Sequence, residues 1–353
     1  MDRPLAEASE TPGPRLSNTF SFHHSWMLAS SYSKFPITTF SIMNLIEPIS
    51  NGSQTPSSEI SYFESSVDIE IDPFTQLTKD RPREVFTTNR SLKKSLGFLH
   101  QALLKNQTQD QYLIITSVPT DQFAKLSDDR SSVCKYCRFT FNTETGIFVA
   151  KVIPSPAHEL AIRSFDILIS LELRSMNIYS EMRPLGSSTI TVGAWKKEPD
   201  CSWAPASAST NPTFVVEIGL SETQRQLALD AHGWLETSSC VKLVVTISIK
   251  RETPEIILRR WELMPWTYGI TTKSSSPAAR CTEILSLSRT NNTTLVTGKS
   301  YMNNTTTTTT QLTLPFNKII NRAPYNSLER DLIIQEHELI SFAESIWSEQ
   351  RLL

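Results

Sequence analysis

The chain has 353 residues, 39% of them hydrophobic and 20% charged, which gives material for one substantial core plus flexible segments. Its formal net charge of -2 excludes the global basic field that drives non-specific nucleic-acid binding, so any affinity for DNA or RNA has to be local. Five cysteines are too few and too uneven in number for the disulfide framework of a small secreted domain, and they read as reduced intracellular thiols.

Residues 1–80 are rich in Ser, Thr and Pro, and their aromatic residues keep no period of 2 or 3.6, so the expectation is a disordered N-terminal region. SLKKSLGFLHQALLK, residues 91–105, places Leu92, Leu96, Leu99 and Leu103 on one helical face. YLIITSV (112–118) reads as a short strand. RFTFNTETGIFVAKVIP reads as a hairpin with its turn between Asn142 and Gly146. Ser155 and Pro156 then open a helix running to about Met176, with Leu160, Ile167, Leu168 and Leu171 as its apolar positions.

TITVGAW reads as a strand ending at Lys196 to Asp200, and CSWAPASASTNP as a surface loop. TFVVEIG is the most buried-looking strand, with Glu217 the single charge in an apolar run. Ser221 is the expected cap of a helix from Glu222 to Leu235. VKLVVTISI and EIILRRWEL complete the strands of one mixed sheet flanked by helices, an α/β arrangement.

The remaining segments complete the partition. An α/β domain occupies 81–265, a low-complexity segment with six consecutive threonines occupies 266–312, and 313–353 ends in a helix (Ser327 to Trp347) that docks on the core. No run of about 18 apolar residues exists to span a membrane, and no leader pattern opens the chain. The expectation is a non-secreted protein of the cytoplasm or nucleus.

Three acids stand where an acid is conspicuous: Glu159 at a helix head, Asp200 at a strand end and Glu217 inside an apolar strand. An ionised carboxylate on a buried strand costs several kcal/mol unless it is paired or bound to metal. Glu217 therefore needs a partner. One option is a hard divalent cation, which takes oxygen ligands and uses one or two carboxylates plus water. The other is a buried ion pair, with Arg225 or Lys242 as the cation. Asp200 after Pro199 also suits a turn, and Glu159 also suits the positive end of a helix.

KKEPD (196–200) followed by FVVEIG (214–219) resembles the PD-(D/E)XK signature of restriction endonuclease-like proteins, and its texture is similar to fungal proteins akin to the Uma2-type family. IPSPAHELAIRSF (153–165) and SETQRQLALDAHGWL (221–235) extend the resemblance, which covers about Arg138 to Glu262. It implies a mixed central sheet flanked by helices, with Glu159, Asp200 and Glu217 holding Mg²⁺ or Mn²⁺ for phosphodiester hydrolysis. It also implies a lysine two residues beyond the second acid, where this chain has Gly219. Gln224 and Arg225 on the following helix are the candidates for that vacated role, ahead of Lys196 and Lys242. Arg225 would act as a fixed cation, since it does not deprotonate. The alternative function is a catalytically inactive binding or interaction module.

DNA or RNA is the expected partner class. From Arg138 to Glu262, however, thirteen Lys and Arg face fourteen Asp and Glu, which is no strong basic footprint. Lys250, Arg251, Arg259 and Arg260 are the candidate phosphate contacts at strand ends. Cys134 and Cys137 form a Cys-x-x-Cys pair without a second pair, so no structural zinc is expected.

Overall fold

The computed structural model describes residues 73–353, apart from 80, 109, 129–135, 154, 209, 221, 239, 265–276 and 303–304. The expectations for residues 1–72, and for Cys134, Ser221 and Pro265 to Ser276, lie outside the described residues.

Two glycine-bearing turns set the local geometry of the first sheet. Between β3 (Cys137–Asn142) and β4 (Phe148–Val152), the Asn142 side chain accepts from the backbone N–H groups of Glu144 and Thr145 at 3.0 and 2.9 Å. Gly146 closes that turn at φ 67°, a left-handed conformation that suits glycine. Gly193, at φ 57°, does the same in the two-residue connection between β6 (Ile190–Val192) and β7 (Trp195–Lys197). The stretch expected as one strand from Thr189 to Trp195 is therefore a hairpin. Its second strand carries Lys197 back toward the core.

Two mixed sheets replace the single one expected. The first adds β1 (Arg83–Val85) and β2 (Tyr112–Thr116) to these strands, in the order β1-β2-β4-β3-β7-β6. The second contains β5 (Met182–Pro184), β8 (Cys201–Pro205), β9 (Phe214–Leu220), β10 (Leu243–Ile249), β11 (Glu255–Met264), β12 (Ala278–Thr290), β13 (Thr293–Met302) and β14 (Thr305–Thr309). Its order is β14-β13-β12-β11-β10-β9-β8-β5, with β9 and β10 parallel and the other pairs antiparallel. Helices flank these sheets, so the chain is an α/β protein.

Several expectations need correction. Cys201–Pro205, expected as loop, is a fully buried strand, because it pairs with β9 on one side and β5 on the other. The low-complexity segment 278–309 forms three strands: β13 offers the threonine run a hydrogen-bonding ladder, and β-branched side chains suit it. Residues 73–79 are part of the fold. They contain the four-residue helix α1 (Pro73–Gln76), whose Phe74 ring packs edge-on to Trp195 and Trp234 at 5.7 and 6.2 Å. Leu332–Ile334 forms β16, which pairs with β15 (Leu312–Leu314), so the last helix starts only at Glu336.

Further helices shape the core. α2 (Asn89–Leu104) is capped by Thr88, whose hydroxyl accepts from Ser91 N–H, and α3 is Thr120–Asp128. α4 (Pro156–Ser175) buries Ala157, Ala161, Phe165, Ile169 and Leu173 and leaves Ile167 and Leu171 exposed. The face at four-residue spacing wins because its two alanines let the helix lie close to β9. α5 (Gln224–Thr237) starts from a Thr223 capping box with Gln226 and is buried from Leu227 to Leu235. After the short α6 (Phe316–Ile319), α7 (Glu336–Gln350) sets Leu339, Phe342, Ile346 and Trp347 into the same core as α4. None of the helices among the described residues is long and apolar enough to cross a membrane.

Candidate active site

Asp200 and Glu217 belong to a pair of adjacent strands. Asp200 immediately precedes β8, and its Oδ2 accepts from the Ile218 N–H of β9 at 2.8 Å. Strand alternation sends Val216 and Ile218 toward α4 and Glu217 to the other face, where Oε1 accepts from the α5 indole of Trp234 at 2.6 Å.

The cations arrive from the other sheet. Lys151 of β4 places Nζ 2.8 Å from Glu222 Oε2 and 3.6 Å from Asp200 Oδ2, and donates to the Ile218 carbonyl at 3.0 Å. Lys197 of β7 places Nζ 2.6 Å from Asp230 and 3.4 Å from Glu217, with the Phe74 and Trp234 rings beside it. Arg138 Nε of β3 lies 3.3 Å from Asp200 Oδ1, and His158 Nε2 of α4 lies 3.3 Å from Oδ2. The Tyr112 hydroxyl donates to Glu222 Oε1. This network joins the two sheets through their buried charges.

Counted within it, four buried carboxylates (Asp200, Glu217, Glu222 and Asp230) face three cations (Arg138, Lys151 and Lys197). Burial raises the Glu217 pKa to about 7, with Lys197 opposing the rise and Asp230 and Asp200 adding to it. Burial also acts to raise Asp200, but Lys151, His158 and Arg138 outweigh it and hold that carboxyl well below the ordinary range. Of these two acids Glu217 is therefore the one that takes up a proton more readily. Lys151 and Lys197 lose by burial and gain more from the surrounding acids, so both stay charged.

The residues expected to form the site separate into two groups. Asp200 and Glu217 are in the network. Glu159 is half-exposed and reaches only the far end of Arg138, at 3.5 Å. Arg225 is exposed on the first turn of α5, and Gln224 accepts from Arg259 at 2.9 Å, so neither occupies the vacated lysine role. Lys196 lies over the Phe123 ring and Lys242 bonds Asn321. Arg259 and Arg260 are buried within β11 rather than presented at a strand end, and Arg260 pairs with Glu262 and Glu283.

Gly219 is closed to a lysine for a steric reason. A β-carbon there would lie 2.8 Å from Glu222 Cβ and 3.0 Å from Leu227 Cδ1. Glu222 fills that space and takes Lys151 as its partner. Lys151 carried a readable signal, since it is the single charge in the apolar strand FVAKV, just as Glu217 is in FVVEIG.

A divalent ion does not fit these residues as they stand. Each carboxylate is already paired with an ammonium or guanidinium. Among the described residues, no group of three or more His, Cys, Asp or Glu is placed to hold a metal ion. The space between Tyr112, Arg138, Lys151, Lys197, Glu217 and Asp230 is about 10 Å³, room for one water.

No family model and no curated protein matches the chain. Among solved structures, it is similar to a candidate nuclease belonging to DUF820 from Anabaena variabilis, with 13% identity and a TM-score of 0.30 over 43% of this chain and 89% of that one.

Proposed function

We propose that this chain is a PD-(D/E)XK-like domain whose acidic centre has become an internal ion-pair network, and that it works as a binding module rather than a metal-dependent hydrolase. The observation that carries this reading is the closure of the centre. The side chains of Asp200 and Glu217 are 0% and 3% exposed, and Lys151 and Lys197 stand directly against their carboxylates. A phosphodiester has no route to either acid. The nuclease-like part of the reading rests on the two motif acids, Asp200 just before one strand and Glu217 within its paired neighbour, with the residue after Glu217 bonded to Asp200.

Nucleic acid, as the partner, would be met on the outer surface. α2 and the residue after it carry Arg90, Lys93, Lys94 and Lys105 with no carboxylate, and Arg90, Lys94 and Lys105 are exposed alongside Phe98. Cations in that arrangement suit phosphate contacts, and an exposed aromatic ring suits base stacking.

The test combines cleavage and binding. Labelled single- and double-stranded DNA and RNA are incubated with the protein in Mg²⁺ or Mn²⁺, and binding is followed by anisotropy across a salt series. The expected result is salt-sensitive binding without cleavage, weakened by Arg90→Glu with Lys94→Glu. The log-log salt slope of that double variant should be shallower by about 0.9 for each phosphate no longer neutralised. Metal-dependent cleavage that disappears in Asp200→Ala would overturn the reading.

A further inference from the structure

We infer that the cavity between β11, β13 and α6 is a binding site for a small neutral molecule that joins an amide or lactam edge to an apolar body. The site shares no residue with the α2 surface proposed for nucleic acid, so failure at one leaves the other untouched.

The cavity measures about 470 Å³, within the range of roughly 300–1,000 Å³ usual for small-molecule sites. Its walls are apolar: Met264 of β11, Tyr301 and Met302 of β13, Phe316 of α6, and Ala323 and Pro324 beyond it. Met302 is 63% exposed, a large apolar side chain left in water beside the cavity it lines. Methionine adapts its shape to an apolar guest, and aromatic rings offer flat surfaces to a planar one. The floor, by contrast, is built from charge. Arg260 and Glu262 of β11 line the cavity although they are only 4% and 8% exposed.

Both charged groups are held along one edge. Arg260 Nε donates to the Thr282 hydroxyl at 2.9 Å, and Nη1 donates to Glu283 Oε2 at 2.7 Å and to the Thr313 carbonyl. Glu262 Oε1 accepts from the same Thr282 hydroxyl at 2.9 Å and lies 3.1 Å from Arg260 Nε. Arg260 Nη2 and Glu262 Oε2 make no hydrogen bond among the described residues, and neither atom is sealed from solvent. Lys318 Nζ approaches Oε2 only to 3.9 Å. The floor therefore presents a donor and an acceptor on neighbouring, prepositioned groups.

That pairing selects the charge of the ligand. An anion reaching Nη2 meets the Glu262 carboxylate, and a cation reaching Oε2 meets the Arg260 guanidinium, so either sign sets like charges together. A neutral amide or lactam gives its carbonyl to Nη2 and its N–H to Oε2. Both hydrogen bonds are charge-assisted, and the apolar remainder of the ligand lies against the walls.

Benzamide, benzoate and benzamidine have nearly the same shape and different charge, which makes them the probes. Their binding to the full chain is measured by NMR titration at about pH 8, where Glu283, whose pKa burial raises to about 7, stays ionised beside Arg260. Benzamide is expected to bind saturably, and both charged analogues at least about tenfold more weakly. Ala323→Trp fills the cavity from an exposed position and should abolish benzamide binding; Met302→Trp, also at an exposed position, repeats the test if the first variant does not fold. Glu262→Gln removes the carboxylate charge that opposes the anion and should raise benzoate binding relative to benzamide severalfold. The inference is overturned if the wild type shows no saturable benzamide binding up to about 10 mM, or if it binds the three probes equally. Benzamide binding that survives a folded, filled variant, or a benzoate-to-benzamide ratio unchanged in Glu262→Gln, overturns it as well.

Discussion

Asp200 and Glu217 are equally buried, one just before a strand and the other within its paired neighbour, yet their surroundings drive their carboxyl groups in opposite directions. Asp200 has Lys151, His158, Arg138 and a backbone N–H around it, and it is held strongly ionised. Glu217 shares its one close cation, Lys197, with Asp230, and its pKa rises to about 7. Burial depth alone therefore does not set protonation; the number of cations per acid does. The Glu217 side is the under-neutralised half of the network, and it should be the easier half to perturb.

Removing its one close cation should have the largest effect. Lys197→Met leaves Glu217 and Asp230 buried without a close counter-charge, and the expected cost is about 3–5 kcal/mol of folding stability, measured by urea unfolding. A loss below about 1 kcal/mol would show that water already solvates this half.

Gly219 lies between the two halves. Gly219→Ala drives a β-carbon into Glu222 Cβ and Leu227 and is expected to cost roughly 1–3 kcal/mol. The same measurement on Gly219→Lys should give at least that loss and no gain of cleavage, because Glu222 must leave its place before any side chain enters.

The pH dependence separates the halves by sign. Glu217 has a folded pKa above its ordinary value of 4.5, so its contribution to stability is present below about pH 4.5 and is lost as the pH rises toward 7. Asp200 has a depressed folded pKa, so its contribution is present above its ordinary value of 3.8 and is lost as the pH falls below that. Glu217→Gln should flatten the decline in stability between about pH 4.5 and 7, leaving the part due to Glu283, which burial also raises to about 7. Its acid limb below pH 3.8 should stay unchanged. An unaltered slope in that variant would remove Glu217 as the proton carrier.

The smallest effect is expected outside the network. Glu159 is half-exposed and 3.5 Å from Arg138, so Glu159→Ala should change stability by no more than about 1 kcal/mol, as exposed ion pairs do. A larger loss would extend the Asp200 half to the surface.

The chain's own pattern determined a good deal of this. A carboxylate alone in FVVEIG announces a buried charge needing a partner whatever the fold, because the cost of burying it is local. Lys151 in FVAKV announces the complementary cation by the same rule. The hairpin at Asn142 to Gly146 and the helix opened by Ser155 and Pro156 were also readable, since turn and cap chemistry act within a few residues. Other features depended on distant pairing. Cys201–Pro205 and the threonine run become strands only because β9 and β13 lie beside them, and no local signal reports a neighbour. The division into two sheets follows from β3 pairing with β7, a strand far along the chain. It is this division that sets Lys151 and Lys197 opposite Asp200 and Glu217. Asp230 reads in sequence as one more polar residue on a helix, and only packing against Lys197 makes it part of the centre. The sequence therefore determined which charges had to be satisfied, because desolvation is a property of the strand that carries them. The tertiary structure decided that ammonium groups satisfy them, because it alone brings the acids of the second sheet within ion-pair distance of the first sheet's lysines.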